Sequence, residues 1–352
     1  MKKLYVLLFL LMVLSLASCA SSQKDDKLSK TSTHVHNYST TTVDPTCATE
    51  GYTLHTCSCG DSYKDSVIAA LGHDYVEREQ NYKCSRCNRY EDEGFVFEVV
   101  TNAMANYNDA YLGLVNTYFI KEVSQSALEG GKLTIPRKHL GYAVAGINKG
   151  ALYNVRTKMT SIYIPSTIKY IGSSLVSYDG QFAPSSDTVA LKTITFDSNC
   201  SNMNVSHTCF QFCKQVTSIT MPNNCIKQFN HDDVVGNHFL FEDTLYYKSN
   251  RTQEGGCFYL FNMLLESDKS AITSTVTVKP GTTLIANQVF VGNTNIKTVE
   301  LPTSLRYIGK RAFAQCVSLT TIVYNGTSSS FGKILVENDA FQDCKTISYQ
   351  YK

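Results

Sequence analysis

The sequence predicts a β-rich repeat solenoid preceded by a small Cys/His-rich module, and three observations carry that expectation. An aliphatic residue is followed five positions later by an aromatic or aliphatic one in six places beyond residue 140. A second unit, ending in strand-like alternation, comes a few residues after most of these pairs. Before them lies a segment with paired cysteines and histidines but few side chains able to build a core. The 352 residues suffice for two or three domains. With 43% hydrophobic and 18% charged residues, most of the chain is expected to fold.

The N-terminus reads as a leader, residues 1–18. Lys2 and Lys3 form a charged start, and Leu4 to Leu16 is an almost unbroken apolar run too short for a comfortable membrane span. The junction Leu16-Ala17-Ser18-Cys19 resembles the lipobox of bacterial lipoproteins. That resemblance implies acylation of Cys19 and attachment to a membrane; the alternative is an ordinary signal peptide containing a cysteine. More than one acyl chain, at about 0.8 kcal/mol per buried methylene, makes such an anchor stable. Residues 19–33 are mostly Ser, Lys, Asp and Thr, with hardly an apolar side chain, and read as a flexible tether.

Residues 34–94 hold two imperfect copies of one pattern. The first opens with His36-Asn37-Tyr38 and continues through Pro45-Thr46-Cys47, Gly51-Tyr52 and Cys57-Ser58-Cys59-Gly60. The second opens with His73-Asp74-Tyr75 and reaches Cys84-Ser85-Arg86-Cys87. These copies resemble the short His/Cys repeats of surface proteins in anaerobic bacteria. Thiolate and imidazole are the ligands zinc prefers, which makes Cys57, Cys59, Cys84 and Cys87 the leading metal candidates, with Cys47 or His73 substituting. Disulfides, which an exported protein permits, and free thiols are the other two readings.

Residues 95–352 carry the repeats. The spaced pairs are Ile147/Leu152, Ile171/Val176, Val205/Phe210, Ile285/Phe290, Ile308/Phe313 and Val336/Phe341. Cysteine stands three positions after the last member at Cys213, Cys316 and Cys344, where a small buried hydrophobe suits the pattern. The second unit appears as Met159-x-x-Ile162-x-Ile164-Pro165, Leu191-x-x-Ile194-x-Phe196 and Val216-x-x-Ile219-x-Met221-Pro222. It returns as Ile296-x-x-Val299-x-Leu301-Pro302 and Leu319-x-x-Ile322-x-Tyr324. Its end is a short strand with one buried face, closed by proline in three copies. Gly172 and Gly309 mark expected tight bends. No single unit has enough apolar surface to fold alone, so neighbours must stack.

The run from Ile296 to Cys316 closely resembles the BspA-like leucine-rich repeats. The resemblance spans roughly residues 130–352, more loosely from 95. It implies a curved solenoid with short parallel strands on its concave side. An interruption is expected at about 230–270, with Leu245-Tyr246-Tyr247 and Phe258-Tyr259-Leu260-Phe261 as two strands of an inserted hairpin. Phe95 to Ile120 reads as a capping hairpin, and Thr327 to Gly332 as a polar loop.

On the repeat strands, the residues between buried positions are Ser161, Tyr163, Thr193, Thr195, Ser218, Thr220, Thr298, Glu300, Thr321 and Val323. This ladder of hydroxyls can hydrogen-bond a partner, although threonine also simply suits exposed strand positions. No catalytic constellation is legible, and His231-Asp232-Asp233 with His238 reads as turn chemistry. Without Lys2 and Lys3, basic and acidic residues number 30 each, so nothing electrostatic points to nucleic acid. The expectation is a non-catalytic, lipid-anchored surface protein that binds or adheres to a protein or glycan, its solenoid needing no cofactor. The alternative is a zinc-binding envelope protein in which the solenoid is a spacer.

Overall fold

The computed structural model describes residues 35–78, 80–107, 111–177, 189–229 and 240–352. The expected leader, Cys19, the tether and the His231-Asp232-Asp233/His238 group lie outside the described residues. Two compact units are present. Residues up to Val43 with Tyr52–Val67 make the first, and Asp44–Gly51 with Ile68–Lys352 make the second.

The first unit is built on a three-stranded sheet, Tyr38–Val43, Gly51–Cys57 and Ser62–Ile68, in chain order. Its last strand is exposed along its whole length, and Cys57 is its buried apolar side chain. The second unit opens with an antiparallel hairpin, Tyr75–Arg78 with Asn81–Cys84. Ion pairs join this second copy to the first coils. Glu91, only 6% exposed, accepts from the Arg137 backbone N–H at 2.9 Å and from Nε at 3.0 Å. His139 Nδ1 lies 2.6 Å from Asp92 Oδ2.

The repeats form a solenoid in which each coil contributes one strand to each of two parallel sheets. Lys132–Thr134, Ser161–Ile164, Thr193–Phe196 and Ser218–Thr220 lie side by side in one sheet, with Ile162 opposite Ile194 and Ile194 opposite Ile219. The other sheet receives Tyr118–Val123, Tyr142–Ile147, Tyr170–Ile171, Met203–Val205 and Ile226–Phe229. In it Ile120, Ile147, Ile171, Val205 and Phe229 form one row, all buried. The aliphatic members of the spaced pairs therefore sit at equivalent positions. The same arrangement resumes with Thr275–Thr277, Thr298–Leu301, Thr321–Tyr324 and Ser348–Tyr351 in one sheet. Met263–Ser267, Leu284–Ile285, Tyr307–Ile308 and Leu335–Val336 form the other.

The aromatic members stack from coil to coil. Phe290 and Phe313 have ring centroids 5.0 Å apart at 15°, and Phe313 and Phe341 are 5.2 Å apart at 7°. Offset stacking of buried rings adds about 0.5–1.5 kcal/mol per pair beyond the burial of their area. The cysteines that follow are more than filler. Cys316 Sγ donates to the Phe290 carbonyl and Cys344 Sγ to that of Phe313, each at 3.1 Å. Burial pushes the Cys316 thiol up to about 12, so it keeps the proton it donates. Pro165, Pro222 and Pro302 close their strands with one recurring turn, accepting from Ile168, Cys225 and Leu305 at 3.0–3.1 Å.

Several elements differ from expectation. Leu245–Asn250 is a helix rather than a strand, capped by Thr244, whose hydroxyl accepts from the Tyr247 N–H. The helix buries Tyr247, and the inserted hairpin is Thr252–Glu254 with Cys257–Leu260 instead. Ser328–Phe331, expected as loop, is a short helix capped by Thr327. Between the antiparallel strands Phe95–Val99 and Tyr118–Val123 stands the helix Asn102–Tyr107. Gly172 and Gly309 are not left-handed bends. A Cβ on Gly309 would lie 2.5 Å from Asn287 Oδ1 and 2.7 Å from its backbone N; one on Gly172 would lie 2.7 Å from the Lys149 backbone N. Both glycines admit the preceding coil.

Candidate functional site

Two places gather polar chemistry: the outward face of the strand sheets and the Cys/His segment. On the first, in-register pairing sets outward residues in rows. Lys132, Ser161, Thr193 and Ser218 form one row, and Thr134, Tyr163, Thr195 and Thr220 the next. Ser218 and Thr220 are exposed; Ser161, Tyr163, Thr193 and Thr195 are half-buried. In the C-terminal sheet the rows are Thr275, Thr298, Thr321, Ser348 and Thr277, Glu300, Val323, Gln350.

The nine polar residues read from sequence thus fall in two sheets. Val323, read with them, is 4% exposed and does not belong to the open face. Sequence reasoning missed Lys132, Thr134, Thr275, Thr277, Ser348 and Gln350. At Thr275–Thr277 the reason is plain: Ile272 stands four residues before Val276, where the other units have a spacing of three.

The two functional-looking groups of these rows are engaged. The Tyr163 hydroxyl donates to Asp197 Oδ2. Burial and that carboxylate push Tyr163 up to about 12, while the Tyr163 hydroxyl and the Asn199 N–H hold Asp197 below the usual carboxylate range. Glu300 accepts from Thr277 Oγ1 at 3.0 Å and from Lys352 Nζ at 3.3 Å. The face offers a spread of small hydrogen-bonding groups over a rigid frame, which suits contact with a partner surface better than bond-making.

The expected quartet of Cys57, Cys59, Cys84 and Cys87 is divided between two groups. Cys57 and Cys59 stand with His36, while Cys84 and Cys87 stand with Cys47 and His73. In the larger group all four ligand atoms lie within 4.8 Å of one another. Cys47 Sγ is 3.8 Å from Cys84 Sγ, and Cys87 Sγ is 3.2 Å from His73 Nδ1. A tight turn presents the Cys84–Cys87 pair: the Asn88 N–H donates to the Cys84 carbonyl at 3.0 Å, with Asn88 at φ 64°. Thr46 holds the Cys47 turn, its hydroxyl accepting from the backbone of Ala48 and Thr49. Burial raises the Cys84 thiol, but the Cys87 backbone, the His73 ring and further N–H groups outweigh it and bring the group to about 6. The cluster could hold a metal ion. In the smaller group Cys59 Sγ is 3.3 Å from His36 Nδ1. In both copies the histidine stacks on the tyrosine two residues on, His36 on Tyr38 and His73 on Tyr75.

The model of the BspA type leucine rich repeat region matches residues 143–233 and 268–348, in six copies. The chain carries a BspA-type leucine-rich-repeat solenoid. Among solved structures, a leucine-rich repeat protein of T. pallidum is similar at 13% identity and TM-score 0.32, covering 65% of this chain and 79% of its own. A leucine rich cell surface protein of Faecalibacterium prausnitzii matches at 14% identity and TM-score 0.23, with 74% and 94% covered. A leucine-rich repeat protein of Bacteroides ovatus matches at 16% and 0.31, with 73% and 52% covered. Among curated proteins none matches. Within the described residues, no helix is long and apolar enough to cross a membrane.

Proposed function

We propose that this chain is a lipid-anchored bacterial surface protein whose solenoid binds a protein or glycan partner without catalysis. The observation that carries the reading is the pair of in-register polar rows spanning Lys132–Thr134 to Ser218–Thr220, a broad surface of hydroxyls on a fixed backbone. Leu16-Ala17-Ser18-Cys19 supports the anchor, acyl chains on Cys19 holding the chain at the envelope. Ser161, Tyr163, Thr193, Thr195, Ser218 and Thr220 form the main contact surface, with Thr298, Glu300 and Thr321 on the C-terminal sheet extending it.

The test is capture of envelope or host-matrix proteins and glycans by the full-length chain, compared with a Thr195→Lys/Thr220→Lys variant. Loss of binding on or above the order of tenfold supports the reading, as expected when charges and bulk enter an interface core. Binding unchanged by the double variant removes the face from the proposal. Incorporation of labelled fatty acid, abolished by Cys19→Ser, tests the anchor separately. The Cys/His cluster favours a second reading, a metal-binding envelope protein with the solenoid as spacer. In that case deleting residues 34–94, and not altering the strand rows, abolishes function.

A further inference from the structure

Cys47 lies in the first His/Cys copy by sequence, yet residues 44–51 belong to the compact unit that contains the second copy. There it meets three ligand atoms of that copy. We propose that Cys47, His73, Cys84 and Cys87 form a closed structural zinc site, the first copy lending its middle cysteine to complete the second.

The distances fit the ion. With zinc–sulfur bonds of about 2.3 Å and tetrahedral angles, two thiolates on one zinc stand about 3.8 Å apart. Cys47 and Cys84 are at 3.8 Å. A thiolate and an imidazole nitrogen on the same ion stand about 3.6 Å apart, and Cys87 and His73 are within a few tenths of an ångström of that. A disulfide between Cys47 and Cys84 requires about 2.05 Å and leaves the convergence of His73 and Cys87 on the same point without a purpose. Four nitrogen and sulfur donors with no oxygen ligand select against calcium and magnesium, and four protein ligands leave no open position for chemistry.

The surroundings are those of a metal-bound histidine. With Nδ1 turned to Cys87, the ring sets Nε2 at 3.0 Å from Glu129 Oε1. Glu129 in turn accepts from the Tyr75 hydroxyl at 3.2 Å, so the carboxylate beside the imidazole is itself held in place, where a bound ion could set the ring to donate to it. The composition of the segment agrees. Among the described residues from 35 to 94, the buried hydrophobic side chains are Cys47, Cys57 and Cys84 alone. A segment whose interior is thiol sulfur has no aliphatic core to hold it, and metal binding supplies that folding free energy.

Binding converts three thiols to thiolates and releases their protons to solvent, with no change of oxidation state. The test uses the full-length chain purified under reducing conditions, loaded with zinc and dialysed. Metal content is read by mass spectrometry, and Co2+ replacement by thiolate-to-metal charge transfer. The expected result is about one tightly held zinc per chain or more, with tetrahedral Co2+ bands. Cys47→Ser lowers zinc affinity on the order of 100-fold or more, Glu129→Gln by about 10–100-fold. Cys59→Ser, in the smaller group, leaves the tight zinc in place, and Cys47→His restores binding. Circular dichroism of the solenoid confirms that the variants fold. A chain that retains no zinc, a Cys47–Cys84 disulfide in the native protein, or a Cys47→Ser variant that holds zinc as the parent does overturns the proposal.

Discussion

The two ends of this chain solve one problem with different materials. From Val100 onward the interior is aliphatic and aromatic, and each coil covers the apolar face of the last. Among the described residues from 35 to 94 the buried hydrophobic side chains are cysteines. A solenoid gains stability by adding neighbours, since each interface term repeats. A sixty-residue segment of polar strands has no such reserve and depends on cross-links or a metal. The contrast teaches that cysteine has two meanings here, set by its surroundings. Cys316 is a protonated thiol that donates to the Phe290 carbonyl; Cys84 is a thiol drawn toward ionisation beside a histidine.

The largest expected effect separates the regions outright. If a metal holds the second copy, chelation exposes residues 68–94 to protease on the order of 100-fold faster while the coils beyond 140 stay protected, as limited proteolysis with mass mapping shows. Equal loss of protection in both regions breaks the comparison. Next, Phe313→Ala removes the middle ring of the Phe290–Phe313–Phe341 stack and destabilises the solenoid by about 3–5 kcal/mol in denaturant titration, leaving zinc content unchanged. Gly309→Ala places a Cβ against the Asn287 backbone and costs about 1–3 kcal/mol by the same measurement. A neutral result there means that the coils can part at no cost.

Smaller still is the Tyr163–Asp197 contact. The Asp197 carboxyl is held below its ordinary range, so its contribution is complete at neutral pH and vanishes as pH falls through that lowered value. Asp197→Asn is expected to cost under about 1 kcal/mol at pH 7 and nothing in acid, where both proteins carry a neutral side chain. Thr195→Ala, on the outward row, should stay within about 0.5 kcal/mol of the parent in stability while weakening partner binding. That pairing of a silent melt with a changed affinity sharpens the assignment of the row to contact rather than to scaffold.

The spine was readable in the primary structure because its period is carried by large side chains. Ile147, Ile171 and Val205 occupy one buried row, and the ring slots of Phe290, Phe313 and Phe341 coincide. What escaped had weak or shifted side-chain signals. Phe241 stacks on Phe210 at 5.4 Å, yet Gly236 stands five residues before it where an aliphatic marks the other coils. The helix at Leu245–Asn250 lay hidden because three apolar residues in a row have no period to read, and only Thr244 as a cap distinguished it. Gly172 and Gly309 suggest bends in the sequence, but their role is close approach of backbones, a property of two coils that appears in neither alone. The expected quartet of Cys57, Cys59, Cys84 and Cys87 joins two cysteine pairs that the fold places in separate groups. The phase of each copy, which opens with His36 or His73 and closes with Cys59 or Cys87, assigns the pairs separately and leaves Cys47 to be placed by the turn that carries it.

Both sheets begin with a strand of reversed direction. Phe95–Val99 runs antiparallel to Tyr118–Val123, and Leu128–Glu129 antiparallel to Lys132–Thr134. A further parallel coil cannot continue past such a strand with the hydrogen-bond pattern of the others. Each of these reversed strands pairs on one side alone and is the edge of its sheet, so a coil added there would meet a hydrogen-bond pattern unlike the one between the parallel coils.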